Sequence, residues 1–141
     1  YESQTSLVGS EMCIRDSSNI VLMPTWLNGN AEGLSTYNYL GPDGIVDTDD
    51  YFVIAVNALG NGSSSSPSNS AQSPFPRFTI RDQVSLQHEL LTEHLDIEHL
   101  HAVVGASMGG YQTYEWLMMY RTSPLTLCLL KARLGTRFTT D

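Results

Sequence analysis

The stretch that most constrains this chain is His101-Ala-Val-Val-Gly-Ala-Ser-Met-Gly-Gly110, with a helical pattern from Tyr111 to Tyr120 directly after it. A short apolar run feeding into Gly-x-Ser-x-Gly predicts a strand, a tight turn and a helix, the context of a nucleophile elbow. Such a turn carries Ser107 at its tip with the hydroxyl clear of the sheet. Gly105 and Gly109 let the strand and helix backbones approach without Cβ atoms between them. The Met108 N–H, at the start of the helix, is aimed at negative charge developing beside the serine. The bland alternative is a glycine-rich turn in some other α/β protein; the agreement of strand, turn and helix argues against it.

The segments before the elbow fit the same architecture. Asn19-Ile-Val-Leu-Met23, bounded by Pro24, reads as a buried parallel strand, and Tyr51-Phe-Val-Ile-Ala-Val56 as a second one. Between them lie a Thr25-Trp-Leu-Asn-Gly29 loop, a short helical turn over Leu34 to Leu40, and the turn chemistry of Gly41-Pro-Asp-Gly44. Asn57 to Ser73 is rich in glycine, asparagine and serine, which by composition alone suggests a flexible linker. Its place directly after a strand suggests instead a structured loop on the edge where open α/β sheets hold their ligands. Thr79-Ile-Arg-Asp82 has the form of a helix start, and Ile80, Val84, Gln87, Leu91 and Leu95 share one helical face. The order strand, loop, strand, loop, helix, strand, helix predicts an α/β protein, a parallel sheet with crossover helices.

Composition excludes several classes. A net charge of −8 argues against nucleic-acid and anionic-membrane partners. No apolar run approaches the roughly 18 residues of a membrane-spanning helix, and the polar start carries no secretory pattern. Cys13 and Cys128 make neither a disulfide framework nor a metal-ligand spacing. Asp47-Thr-Asp-Asp50 lacks the remaining ligands of a calcium loop and reads as a solvated turn. His88 and His94 read as surface or boundary helix residues, and His99 and His101 have no carboxylate partner in metal-binding spacing, so no metal site is expected. The expectation is a soluble cytoplasmic protein acting on a small molecule.

Both ends differ in character from the middle. Ser6 to Ser17 can be translated from a string resembling a transposase-based sequencing adapter, so residues 1–17 are set outside the fold, with 1–5 less defined than the rest. Residues 18–120 hold eleven acidic side chains against Arg77 and Arg81 alone, whereas residues 121–141 hold four basic ones against Asp141. A one-base shift after Tyr120 restores Pro-Asp-Phe-Ala in place of Arg121-Thr-Ser-Pro124, and a proline there would end the helix. Residues 121–141 therefore read as a frameshifted tail that carries no functional claim.

At residues 19–120 the chain resembles the homoserine O-acetyltransferases and their close α/β-hydrolase relatives. The resemblance rests on Asn19-Ile-Val-Leu-Met23, Asp47 to Asn57, Phe75-Pro-Arg-Phe-Thr-Ile-Arg-Asp82 and Val103-Val-Gly-Ala-Ser-Met-Gly-Gly110. It implies an α/β-hydrolase fold, here partial and ending before the later strands, and a Ser-Asp-His triad with an acyl-serine intermediate. Ser107 matches the nucleophile and Met108 one oxyanion donor; the second donor maps to Trp26 or Leu27. Acetyl-CoA or another acyl-CoA is the implied co-substrate, with no bound cofactor, in methionine biosynthesis; a homodimer of the intact protein stays open. The family's His-x-Leu-Thr-Gly loop is Thr25-Trp-Leu-Asn-Gly29 here, which, with Gly60 to Asn69, is more similar to a hydrolase-like branch. The implied Asp and His lie past residue 141, so the chain by itself is expected to be inactive. Three readings follow: an acyltransferase fragment, an ester hydrolase of the same family, or a non-catalytic truncated or chimeric product.

Overall fold

The computed structural model describes residues 5–8 and 19–120. Its sheet holds β1 (Thr5–Val8), β2 (Ile20–Pro24), β3 (Phe52–Val56) and β4 (Ala102–Val103) in the order β1-β3-β2-β4. The helices are α1 (Ala31–Thr36), α2 (Ile80–Glu89), prolonged by a wider π-helical turn over Leu90–His94, and α3 (Met108–Met119).

Strands β2, β3 and β4 are parallel, with Leu22 opposite Ile54 on one side and Val103 on the other. Each is a continuous apolar run because helices or loops cover both of its faces. Ile20, Leu22, Ile54, Val56 and Val103 pack with Val84, Leu91 and Trp116 under α2 and α3. Their alternates Val21, Met23, Val53, Ala55 and Ala102 pack with Ala31, Leu34, Leu40 and Val46 beneath α1. The period of two along each strand thus feeds two separate cores.

Thr5–Val8 forms β1 and pairs antiparallel with β3, Thr5 with Val56 and Val8 with Val53. The outer edge of β3 presents a row of backbone donors and acceptors that any extended segment can satisfy. The sheet is therefore mixed, with a parallel centre. The short helix begins earlier than Leu34: Asn30 caps α1, its Oδ1 accepting the Gly33 N–H at 3.0 Å. The rest of residues 1–18 and the whole of 121–141 lie outside the described residues.

The start of α2 follows its sequence signature. The Thr79 hydroxyl accepts the Asp82 N–H, and Asp82 accepts the Thr79 N–H at 2.7 Å, a complete capping box. The hydrogen bonds from the Thr79 hydroxyl, first, and its N–H hold the Asp82 carboxyl below the usual aspartate range. A pKa lowered by folding stabilises fully above the unfolded value and fades as pH falls through the folded one. The loss in stability caused by Asp82→Asn, read from urea midpoints, should therefore be larger at about pH 6 than at about pH 3. Equal losses at the two pH values would contradict the assignment.

Candidate active site

The elbow forms as the Gly-x-Ser-x-Gly pattern requires. β4 ends at Val103, the Val104 N–H donates to Leu22 O at 2.9 Å, and α3 begins at Met108. Ser107 sits between them at φ 53° and ψ −121°. Asn38 and Asp96 also have positive φ, but their side chains tolerate it; a serine does not adopt it without compensation. Ser107 occupies the N-cap position of α3, yet its side chain makes no capping hydrogen bond, and the residue is exposed. The hydroxyl is thus held out of the helix it precedes.

Gly105 and Gly109 show what closes the turn. A Cβ on Gly105 would meet the Gly109 carbonyl and lie 2.8 Å from Thr113 Oγ1; one on Gly109 would meet Pro24 O. The first turn of α3 is therefore pressed against the end of β2. The N–H groups of Gly109, Gly110 and Tyr111 donate to Ala106 O and Ser107 O, while that of Met108 takes no partner within the turn. It is one of the orphan donors of a helix start, at the positive end of the helix dipole.

The loop after β2 borders the elbow. A Cβ on Gly109 would lie 3.5 Å from Thr25 O, so Trp26 and Leu27 follow directly on the residue that borders the elbow. Trp26 O accepts the Gly29 N–H at 3.3 Å, which makes Trp26 to Gly29 a tight turn with Leu27 exposed. This turn is anchored from the loop after β3: Asn61 Nδ2 donates to Gly29 O at 2.9 Å, and Asn57 Oδ1 accepts the Ala31 N–H at 2.9 Å. Asn61 Oδ1 also accepts the Ser63 and Ser64 N–H groups, and Asn69 Nδ2 donates to Gly62 O and Ser64 O. Asn57 to Ser73 is accordingly a structured loop, the second of its two sequence readings.

The structure sets Ser107 and Met108 between Gly105 and Gly109 and places Gly109 against Pro24 and Thr25, the residues that lead into the Trp26–Leu27 turn. His88 stacks on Tyr120 with ring centroids 4.1 Å apart, and the His101 ring lies 5.2 Å from that of Tyr51. Among the described residues no cluster of three His, Cys, Asp or Glu is placed to hold a metal. Sequence reasoning missed the polar anchors Asn57, Asn61, Gln87 and Gln112. Gln87 carried a signal, an amide in the series Ile80, Val84, Leu91 and Leu95, and Gln83 one turn earlier is buried with it.

A strand–elbow–helix on the parallel centre of the sheet, with a strained uncapped serine at the tip, defines the class to which the comparisons assign the chain. It belongs to the α/β hydrolase fold family, whose profile matches residues 20–128. It is 46% identical over 109 residues to the ethyl acetate hydrolase of Pseudomonas veronii, a match covering 74% of this chain and 31% of that protein. Over 123 residues it is 37% identical to the homoserine O-acetyltransferase of Methanohalophilus mahii, covering 74% of this chain and 25% of that protein. Among solved structures, the acetyl esterase MekB superposes with a TM-score of 0.76 at 42% identity, covering 84% of this chain and 34% of that one. The chain spans about a third or less of the length of these relatives. Among the described residues no helix is long and apolar enough to cross a membrane.

Proposed function

We propose that residues 19–120 carry the nucleophile and oxyanion half of an enzyme that cleaves short-chain esters through an acyl-serine on Ser107. The observation that carries this reading is the Ser107 conformation, strained, uncapped and exposed, at the start of a helix pressed against β2. Ser107 Oγ attacks the ester carbonyl and its proton passes to a histidine oriented by an aspartate, both supplied by sequence outside residues 19–120. The oxyanion is held by the Met108 N–H and the N–H of Trp26 or Leu27. Collapse expels the alcohol, which takes the proton from the histidine, and leaves the acyl-serine. Water then attacks this ester and gives its proton to the histidine; collapse breaks the acyl–Oγ bond, the histidine returns that proton to Ser107 Oγ, and the acid is released.

Hydrolysis is placed ahead of transfer because the relative at 46% and the structure at 42% identity are named ester hydrolases. Thr25-Trp-Leu-Asn-Gly29 agrees with that order. The second reading, acetyl transfer from acetyl-CoA to a hydroxyl acceptor such as homoserine, rests on the 37% identical acetyltransferase. The substrate is in either case a small molecule, and the setting we propose is cytoplasmic.

The deciding assay uses the full-length protein with p-nitrophenyl acetate and, separately, with acetyl-CoA plus homoserine. Nitrophenolate release without O-acetylhomoserine is the expected result; O-acetylhomoserine formed at comparable kcat/KM would decide for transfer. The 141-residue chain alone should resist a serine-reactive fluorophosphonate, because a serine without its base stays protonated. Efficient labelling of Ser107 in that chain, read by mass spectrometry, would overturn the dependence on an outside histidine.

A further inference from the structure

A buried chain of side-chain hydrogen bonds runs from α3 through α2 to the loop after β2. Trp116 Nε1 donates to Gln87 Oε1 at 2.8 Å, Gln87 Nε2 donates to Gln112 Oε1 at 2.5 Å, and Gln112 Nε2 donates to Thr25 O at 3.1 Å. Trp116, Gln87, Gln112 and Thr25 are each 4% exposed or less. The direction of this chain is fixed by its ends. An indole N–H only donates and a carbonyl only accepts, so each amide between them has a single orientation that satisfies both neighbours.

Thr25 O and the Trp26 N–H belong to one planar peptide unit, in which they point in opposite directions. Holding the carbonyl therefore aims the N–H. The next unit is held in the same way, since Trp26 O accepts the Gly29 N–H and its partner atom is the Leu27 N–H. Both candidate oxyanion donors thus sit on peptide units gripped by their carbonyls, and Gln112 supplies the grip on the first. A side chain of α3 thereby couples the helix that carries Ser107 to the loop that faces it.

We propose that Gln112 is a positioning residue: through Thr25 O it sets the orientation of the Trp26–Leu27 turn relative to Ser107. The proposal rests on the acyl-serine reading of the site. Oxyanion donors act only when aimed beforehand, and losing one outright costs about 10²–10³ in kcat. Misaiming one by loss of Gln112 should cost about 10–100-fold.

The test compares Gln112→Leu, which removes both bonds, with Gln112→Glu, which keeps an acceptor for Gln87 and loses the donor to Thr25. Gln87→Leu leaves the Thr25 bond in place. In the full-length protein with p-nitrophenyl acetate, both Gln112 variants should lose kcat with KM little changed, and Gln87→Leu should lose less. Inhibition by an aryl trifluoromethyl ketone, whose serine adduct carries the oxyanion, should weaken in step with kcat/KM. Independently of turnover, the Trp26 and Leu27 amides should exchange with deuterium about tenfold faster in Gln112→Leu. If Gln112→Leu does not fold, Gln112→Glu carries the same comparison. Unchanged exchange at these amides, or unchanged kcat and ketone affinity in a folded Gln112 variant, would overturn the positioning role. Turnover that does not depend on Ser107 would instead overturn the acyl-serine reading and leave the exchange result to decide on Gln112.

Discussion

Ser107→Ala in the full-length protein is expected to lower kcat for p-nitrophenyl acetate by about 10⁴-fold or more. The acyl group then has no oxygen to receive it, and the oxyanion donors and binding alone sustain only residual catalysis. The fold should survive, since the Ser107 side chain caps nothing and is exposed. A companion change separates chemistry from strain. Alanine keeps a Cβ at φ 53° and stays as strained as serine, whereas Ser107→Gly relieves a conformation that costs of order 1–3 kcal/mol. Glycine should therefore raise the urea midpoint while activity is lost in both variants. Retention of more than about one hundredth of the activity by Ser107→Ala would remove Ser107 from the nucleophile role. A glycine variant no more stable than the alanine one would remove the strain.

The parts of the site legible in the sequence are those whose chemistry is local. Gly105, Ser107 and Gly109 announce the elbow because strand, turn and helix fall within ten residues. Thr79 and Asp82 announce the start of α2 because a capping box spans one turn. The buried strands were legible from their unbroken apolar runs, which only a two-sided cover explains. What was not legible is held together across the chain. Gln112 reaches Thr25 over 87 residues and Asn61 reaches Gly29 over 32, distances at which spacing carries no message. Asn57 to Ser73 was ambiguous for the opposite reason. Its composition suits a linker, and only the bonds of Asn61 and Asn69, made when the loop folds back on itself, distinguish structure from flexibility. The pairing of β1 with β3 is made through backbone groups, so its own residues carry little signal for it.

This division implies that the two glycines of the elbow do different things. Gly105 packs against the first-turn backbone of α3, the helix that follows it, so it governs whether the turn closes at all. Gly109 faces Pro24 and Thr25, so it governs how close α3 lies to the loop that holds Trp26 and Leu27, the proposed donors. Gly109→Ala is consequently expected to damage function more than fold. Its Cβ would meet a carbonyl oxygen of buried backbone, which cannot rotate away, so α3 must retreat from the end of β2. The stability cost should be about 1–3 kcal/mol, as for other insertions into packed interiors. A retreat of even 1 Å widens the gap between the Met108 N–H and the Trp26–Leu27 turn, and misplacements of that size cost about 10²-fold. The loss should therefore appear in kcat and in trifluoromethyl ketone affinity, with KM nearly unchanged and a folded protein by circular dichroism. It should also be non-additive with Gln112→Leu, because both substitutions loosen the same contact between α3 and Thr25. Full activity in a folded Gly109→Ala protein, or strict additivity of the two losses, would show that the spacing between elbow and loop does not set the rate.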